Sequence, residues 1–223
     1  MVEIYHVLNR GVDKRNIFLD AEDYVRFIHD LYEFNDEEPV KNVYRSLGYD
    51  ESIQNINERK KRKRVVDLLA FVLMPNHFHL MLIPRIQNGV YLYMKKLGCG
   101  YARYFNAKYQ RTGTLFEKRY KRILIKNEEH FKHLPYYIHC NPLDLSYPEW
   151  RKRELKDFKG ALKFLDSYRW SSHLDYCGKK NFPSVTQRKF LLDYFEGEEG
   201  YRESIKNWLQ SFDIEKLKPV ALE

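Results

Sequence analysis

Apolar and polar positions mark out a short series of elements along the first two thirds of the chain. Glu3-Ile4-Tyr5-His6-Val7-Leu8-Asn9-Arg10 reads as a strand closed by Gly11. Tyr24, Phe27, Ile28 and Leu31 then recur at helical spacing, with Glu22, Arg26, Asp30 and Glu33 on the other side. This predicts an amphipathic helix ending near Asn35. Asp20 stands where its carboxylate can accept from the unpaired amides of the first turn. Val65 to Met74 is almost unbroken in apolar residues and predicts a strand buried on both faces. Pro75-Asn76 signals a turn, and His77 to Ile83 a third strand ending at Pro84. Val90, Tyr93, Met94, Leu97, Tyr101, Tyr104 and Phe105 predict a second, long helix. Lys118 to Ile125 reads as a fourth strand, and Asn127 caps a third helix carrying Tyr137.

The order strand, helix, strand, strand, helix, strand is the split βαβ pattern of an α+β, ferredoxin-like fold. Two helices should cover one face of an antiparallel sheet, leaving the other for a site or a further helix. Residues 1–149 form the expected catalytic domain. Within it, residues 36–64 have no clear period and end in the basic run Arg59-Lys60-Lys61-Arg62-Lys63-Arg64, read as an insertion. Residues 150–223 form a charged and aromatic C-terminal extension.

Composition narrows the class. The 39 Lys and Arg outnumber the 31 Asp and Glu, a formal charge of +8 that favours a polyanionic partner without specifying any chemistry. No apolar run is long enough to span a membrane and no secretory signal opens the chain. Three widely spaced cysteines, Cys99, Cys140 and Cys177, make neither a disulfide framework nor a zinc ribbon. They are expected to be small core residues in a reducing cytoplasm.

Two constellations carry candidate chemistry. Residues two apart on a strand share a face, so His77 and His79 point one way while Phe78, Leu80 and Leu82 point the other. Two imidazoles suit Mn²⁺, or Mg²⁺ completed by an amide or carboxylate, water and phosphate oxygens. A lone His-x-His is more often the mark of ordinary core or surface histidines. Tyr137 and Asn141 are neighbours one helical turn apart. Their plain alternative is a buried tyrosine and an Asn closing a helix. Tyr136 is a rival hydroxyl, and His133 and His139 are further ligand or proton-carrier candidates. A phenol is a weak nucleophile until a metal orients the phosphate it attacks and nearby cations lower the cost of a phenolate. Arg10, Arg119, Lys121, Arg122 and Lys126, with Arg62 and Arg64 of the basic run, are the cations assigned to DNA. Tyr101, Arg103, Tyr104 and Tyr109 mix aromatic and cationic groups, although at core spacing.

At these residues the chain resembles the single-tyrosine HUH transposases, most closely their REP-associated branch. The resemblance runs through Tyr5-His6-Val7-Leu8-Asn9-Arg10-Gly11, Ile17-Phe18, Met74-Pro75-Asn76-His77-Phe78-His79 and Tyr104-Phe105-Asn106. It continues through Gly113-Thr114-Leu115-Phe116-Glu117-Lys118-Arg119-Tyr120, Tyr137-Ile138-His139-Cys140-Asn141-Pro142 and Trp170-Ser171-Ser172. It implies Mg²⁺ or Mn²⁺, ligands His77, His79 and Asn141, and Tyr137 as nucleophile. It also implies single-stranded DNA beside hairpins as substrate, joined to the tyrosine through its 5′ phosphate. A monomer and a homodimer both occur among such proteins. A host-adopted protein that binds hairpins without cutting them, and a nuclease using water, are the competing functions. The chain departs from the pattern in its long 36–64 connection and in Pro135, two residues before Tyr137. An interior proline costs a helix about 3 kcal/mol, so a restarted or kinked helix is expected.

Overall fold

The computed structural model describes residues 2–39 and 62–211. Strand β1 (Tyr5–Arg10) is followed by helix α1 (Ala21–Glu33), β2 (Val66–Met74), β3 (His77–Pro84), α2 (Gly89–Lys108), β4 (Lys121–Leu124) and α3 (Glu128–Cys140). The sheet order is β2-β3-β1-β4 with every neighbouring pair antiparallel, the ferredoxin-like arrangement. Asp20 caps α1 by accepting from the Asp23 amide at 3.0 Å, and Asn127 caps α3 by accepting from His130 at 2.7 Å. Both caps stand where the sequence puts them.

Alternation along the strands sorts two cores. Val7, Leu68, Phe71, Leu73, Phe78, Leu80 and Leu82 face α1 and α2. Leu69, Ala70, Val72, Met74 and Met81 face α3. The α3 side continues into the C-terminal part, where weak periodicity hides four helices: α4 (Phe158–Ser167), α5 (His173–Tyr176), α6 (Lys189–Tyr194) and α7 (Gly197–Ser211). Trp150, Leu165, Tyr176, Tyr201 and Trp208 complete that core, so both sheet faces are covered. Burying each such side chain contributes roughly 1.5–3 kcal/mol.

The differences from expectation have local causes. Strand β4 is four residues, because Lys118, Arg119 and Tyr120 turn aside before Lys121 pairs with Leu8. Helix α3 is one element with Pro135 buried inside it, so of the restarted and kinked helices expected, the restart does not occur. Tyr93, Tyr101 and Tyr104 of α2 are structural. Tyr93 donates to the Leu31 carbonyl at 2.8 Å, and Tyr104 to buried Asp23 at 3.0 Å. Tyr101 is fully buried among Phe18, Phe27 and Phe105, which removes it from base stacking. Cys140 and Cys177 are buried, whereas Cys99 is exposed and not the core residue expected. No helix among the described residues is long and apolar enough to cross a membrane.

Asn35 ties the two flanks of the 36–64 connection. Its Oδ1 accepts from the Val65 and Val66 amides at 3.1 Å, and its Nδ2 donates to the Val66 carbonyl at 3.0 Å. The Glu37 amide also donates to Lys63. The chain therefore leaves and re-enters at the Val66 end of the sheet. Arg59, Lys60 and Lys61 lie outside the described residues.

Candidate nucleic-acid cleavage site

The opposite end of the sheet gathers the dispersed motif segments around one turn. The Gly11 amide donates to the Asn76 carbonyl at 2.8 Å, and the Ile17 and Phe18 amides both donate to the Pro75 carbonyl. A Cβ at Gly11 would come within 2.3 Å of the Arg15 carbonyl oxygen, so the approach needs glycine. The Glu117 amide donates to Arg10, and Val12 to Leu115, docking the 113–119 segment on the end of β1. Asn106 holds that segment through the Gly113 carbonyl at 2.9 Å. On the far edge, Leu73 donates to Trp170, and Ser172 donates to Phe71. Each stretch of the resemblance thus supports the frame around β3.

His77 and His79 stand on the α3 face of β3, opposite Arg10 and Leu8 of β1. Their rings are 5.0 Å apart and nearly perpendicular. His79 is fully buried and His77 partly so. Each ring commits its Nδ1 inside the protein. His77 Nδ1 is 2.6 Å from Asn76 Oδ1, and His79 Nδ1 is 2.9 Å from His6 Nε2. Ligation through Nε2 needs that arrangement, since a partner on the other nitrogen fixes ring and tautomer. Burial holds His79 well below its ordinary pKa, with His77, His6 and Arg151 pushing the same way, so the imidazole is neutral as a ligand must be.

Tyr137 of α3 is fully buried and meets His79 edge-on at 5.9 Å and His6 at 6.4 Å. Asn141 lies one turn on, its Nδ2 donating to the Tyr137 carbonyl at 3.1 Å. Its buried Oδ1 has no hydrogen-bond partner among the described residues. An unsatisfied buried amide oxygen costs about 1–3 kcal/mol, and a cation would relieve it. Two imidazoles and an amide oxygen fit a divalent ion with further positions for water or phosphate. Arg151 places its guanidinium 5.5 Å from the Tyr137 ring centre. Asp144 anchors it through Nε at 2.7 Å and Nη2 at 2.5 Å, and also accepts from Trp150. Neither His6 nor Arg151 is among the residues singled out by sequence. Only the β1–β3 register and the turn after α3 bring them here.

The other candidates separate clearly. Tyr136 turns toward Phe195, Tyr201 and Trp208, away from the histidines. His139 sits between Ser172 Oγ and the Tyr201 hydroxyl, 2.7 Å from each, and Trp208 donates to His133. Arg10, Arg119 and Lys121 line a cavity of about 150 Å³ together with Asn76, His77 and Glu117. Arg122 and Lys126 are exposed along and just beyond β4, with Arg122 over the Tyr5 ring. Arg62 and Arg64 are not in this group. They precede β2 at its other end, and the nine residues of that strand put about 26 Å between Val66 and Met74. Arg62 stacks on Tyr32 and donates to its carbonyl, while Arg64 contacts Gln187 and Asp67.

Residues 41–141 match the family model described as "Transposase IS200 like". A solved structure described as a REP-associated tyrosine transposase bound to a REP hairpin aligns with a TM-score of 0.45 and 13% identity. The alignment covers 82% of this chain and 84% of that one. No curated protein matches the sequence.

Proposed function

We propose that this chain, whose residues 41–141 match the IS200-like transposase model, is a metal-dependent strand transferase of that family. In this reading it cuts and rejoins single-stranded DNA beside a hairpin through a 5′-phosphotyrosine. The observation that carries the proposal is the packing of Tyr137 edge-on to His79 at 5.9 Å. The Tyr137 oxygen attacks phosphorus as the phenol gives up its proton. The bond from phosphorus to the 3′ oxygen breaks, and that oxygen takes up a proton to leave as a hydroxyl. The covalent product conserves the bond, so a returning 3′ hydroxyl rejoins strands without ATP. His77, His79 and Asn141 would hold Mg²⁺ or Mn²⁺. When bound, the ion would withdraw charge from the scissile phosphate. Arg151 lowers the cost of a phenolate at Tyr137 by fixed positive charge, and His6 orients His79.

The test is incubation of the full chain and Mn²⁺ with oligonucleotides bearing the hairpin repeats that flank its own gene. A covalent adduct on Tyr137 carrying a 5′ phosphate, with a released 3′ hydroxyl, is the expected result. Hairpin binding without cleavage would replace this reading with the non-catalytic one. Cleavage without an adduct would replace it with water-based hydrolysis.

The cations should divide in the same assay. Arg119→Ser and Lys121→Ser are each expected to lower the slope of log K against log salt by about 0.7–0.9 for every phosphate no longer neutralised. Arg62→Ser and Arg64→Ser should leave the slope unchanged and lower thermal stability instead, because both side chains already have partners in the protein. Salt titrations of hairpin binding by all four variants check this. Equal slopes for Arg119→Ser, Lys121→Ser and the unaltered chain would remove the cavity beside His77 from the DNA path.

A further inference from the structure

The β4 margin of the sheet sets cations against aromatic rings. Tyr91, in the first turn of α2, is 41% exposed, unlike the buried Tyr93, Tyr101 and Tyr104 of the same helix. The Arg119 guanidinium lies 5.3 Å from the Tyr91 ring centre and 5.6 Å from that of Tyr120. On β4, Arg122 lies 5.1 Å from the ring centre of Tyr5. Among the described residues Arg119, Lys121 and Arg122 form no ion pair, whereas nearby Arg10 is paired with Glu117 at 3.4 Å. A guanidinium that covers a ring still carries its five N–H donors, and a phosphate can accept two of them side by side.

These groups lie on both faces of the sheet. Lys121 pairs with Leu8 and shares the face of His79, whereas Arg122 pairs with Val7 and shares the face covered by α1 and α2. Arg119 connects the two, because it lines the cavity beside His77 and also covers Tyr91. A polyanion that touches all of them has to turn round the margin of one strand, a width of about 5 Å. Duplex DNA resists bending over about 150 base pairs, so a hairpin stem cannot make that turn. A single strand can, and its unpaired bases have faces free to stack on a tyrosine.

We propose that Tyr91, Arg119 and Arg122 carry the unpaired flank of the DNA away from the His77 cavity. One base stacks on Tyr91, and the two arginines hold neighbouring phosphates. The hairpin stem does not enter this margin. The proposal rests on the strand-transferase reading for its substrate, and adds the path that the single strand takes.

The test uses the full chain without metal, so that binding is read apart from cleavage. Its probes are hairpin oligonucleotides from the repeats that flank its own gene, one keeping the single-stranded flank and one cut back to the stem. Tyr91→Ala alters an exposed side chain and should fold normally. It should weaken binding of the flanked hairpin about five- to a hundredfold, the range for one stacked base. Binding of the stem alone, and the slope of log K against log salt, should not change, because no charge is lost. Tyr91→Phe keeps the ring and should bind like the unaltered chain. With 2-aminopurine placed at successive flank positions, one position should be quenched, and Tyr91→Ala should restore its fluorescence. Undiminished binding of the flanked hairpin by Tyr91→Ala, or an equal loss on the stem alone, would overturn this path even if the Tyr137 adduct still forms with Mn²⁺. A quenched position that depends on Tyr91 without any adduct would uphold the path and defeat the strand-transferase reading.

Discussion

Tyr137→Phe is expected to abolish DNA cleavage and the covalent adduct, by on the order of a thousandfold or more in single-turnover rate, with hairpin binding within a few fold. The ring is fully buried and packs against His79 and His6 through its edge and face, contacts that phenylalanine reproduces. The substitution therefore removes the nucleophilic oxygen and little of the packing. Cleavage at the rate of the unaltered chain would sink the assignment. Tyr136 would be a poor replacement, since it lies in the C-terminal core and burial pushes its hydroxyl up to about 12.

His77→Ala and His79→Ala should each remove metal-dependent cleavage, but their effects on stability should differ. His77 is partly exposed at the start of β3, and Asn76, whose Oδ1 lies 2.6 Å from its Nδ1, is partly exposed as well. His79 is fully buried, and its loss opens a cavity and deprives His6 of its partner at 2.9 Å. That should cost about 1–3 kcal/mol. Titration with Mn²⁺ and thermal unfolding read the two effects separately. Unchanged Mn²⁺ affinity in both variants would contradict the site. Equal losses of stability would mean that the His6–His79 contact carries no weight.

Legibility in the sequence follows the range of the interaction. Caps, helical period and strand alternation are set by neighbours within a few residues, so Asp20, Asn127 and the two long helices are readable. His77 with His79, and Tyr137 with Asn141, are likewise pairs within one element. His6 is different. Alternation places it opposite Val7, but only pairing of β1 with β3 brings it against His79. Arg151 reaches Tyr137 through a turn held by Asp144, which no periodicity records. The C-terminal helices are hidden for a related reason. Helices α5 and α6 span only four and six residues, too few for a period to emerge, and their buried residues Tyr176 and Leu191 serve a core shared with α3.

The two margins of the sheet limit how copies of this chain can associate. Along β2, Leu73 bonds to Trp170, Phe71 accepts from Ser172 and Leu68 accepts from Gln187. The C-terminal part thus occupies the backbone groups that an added strand would need. Along β4, only four residues are available, and Lys121 and Arg122 are exposed on them. An antiparallel copy would set cation against cation, a common device for keeping open strands apart. A continuous sheet shared between two molecules is therefore disfavoured at both margins, while the same β4 charges remain suited to a polyanion.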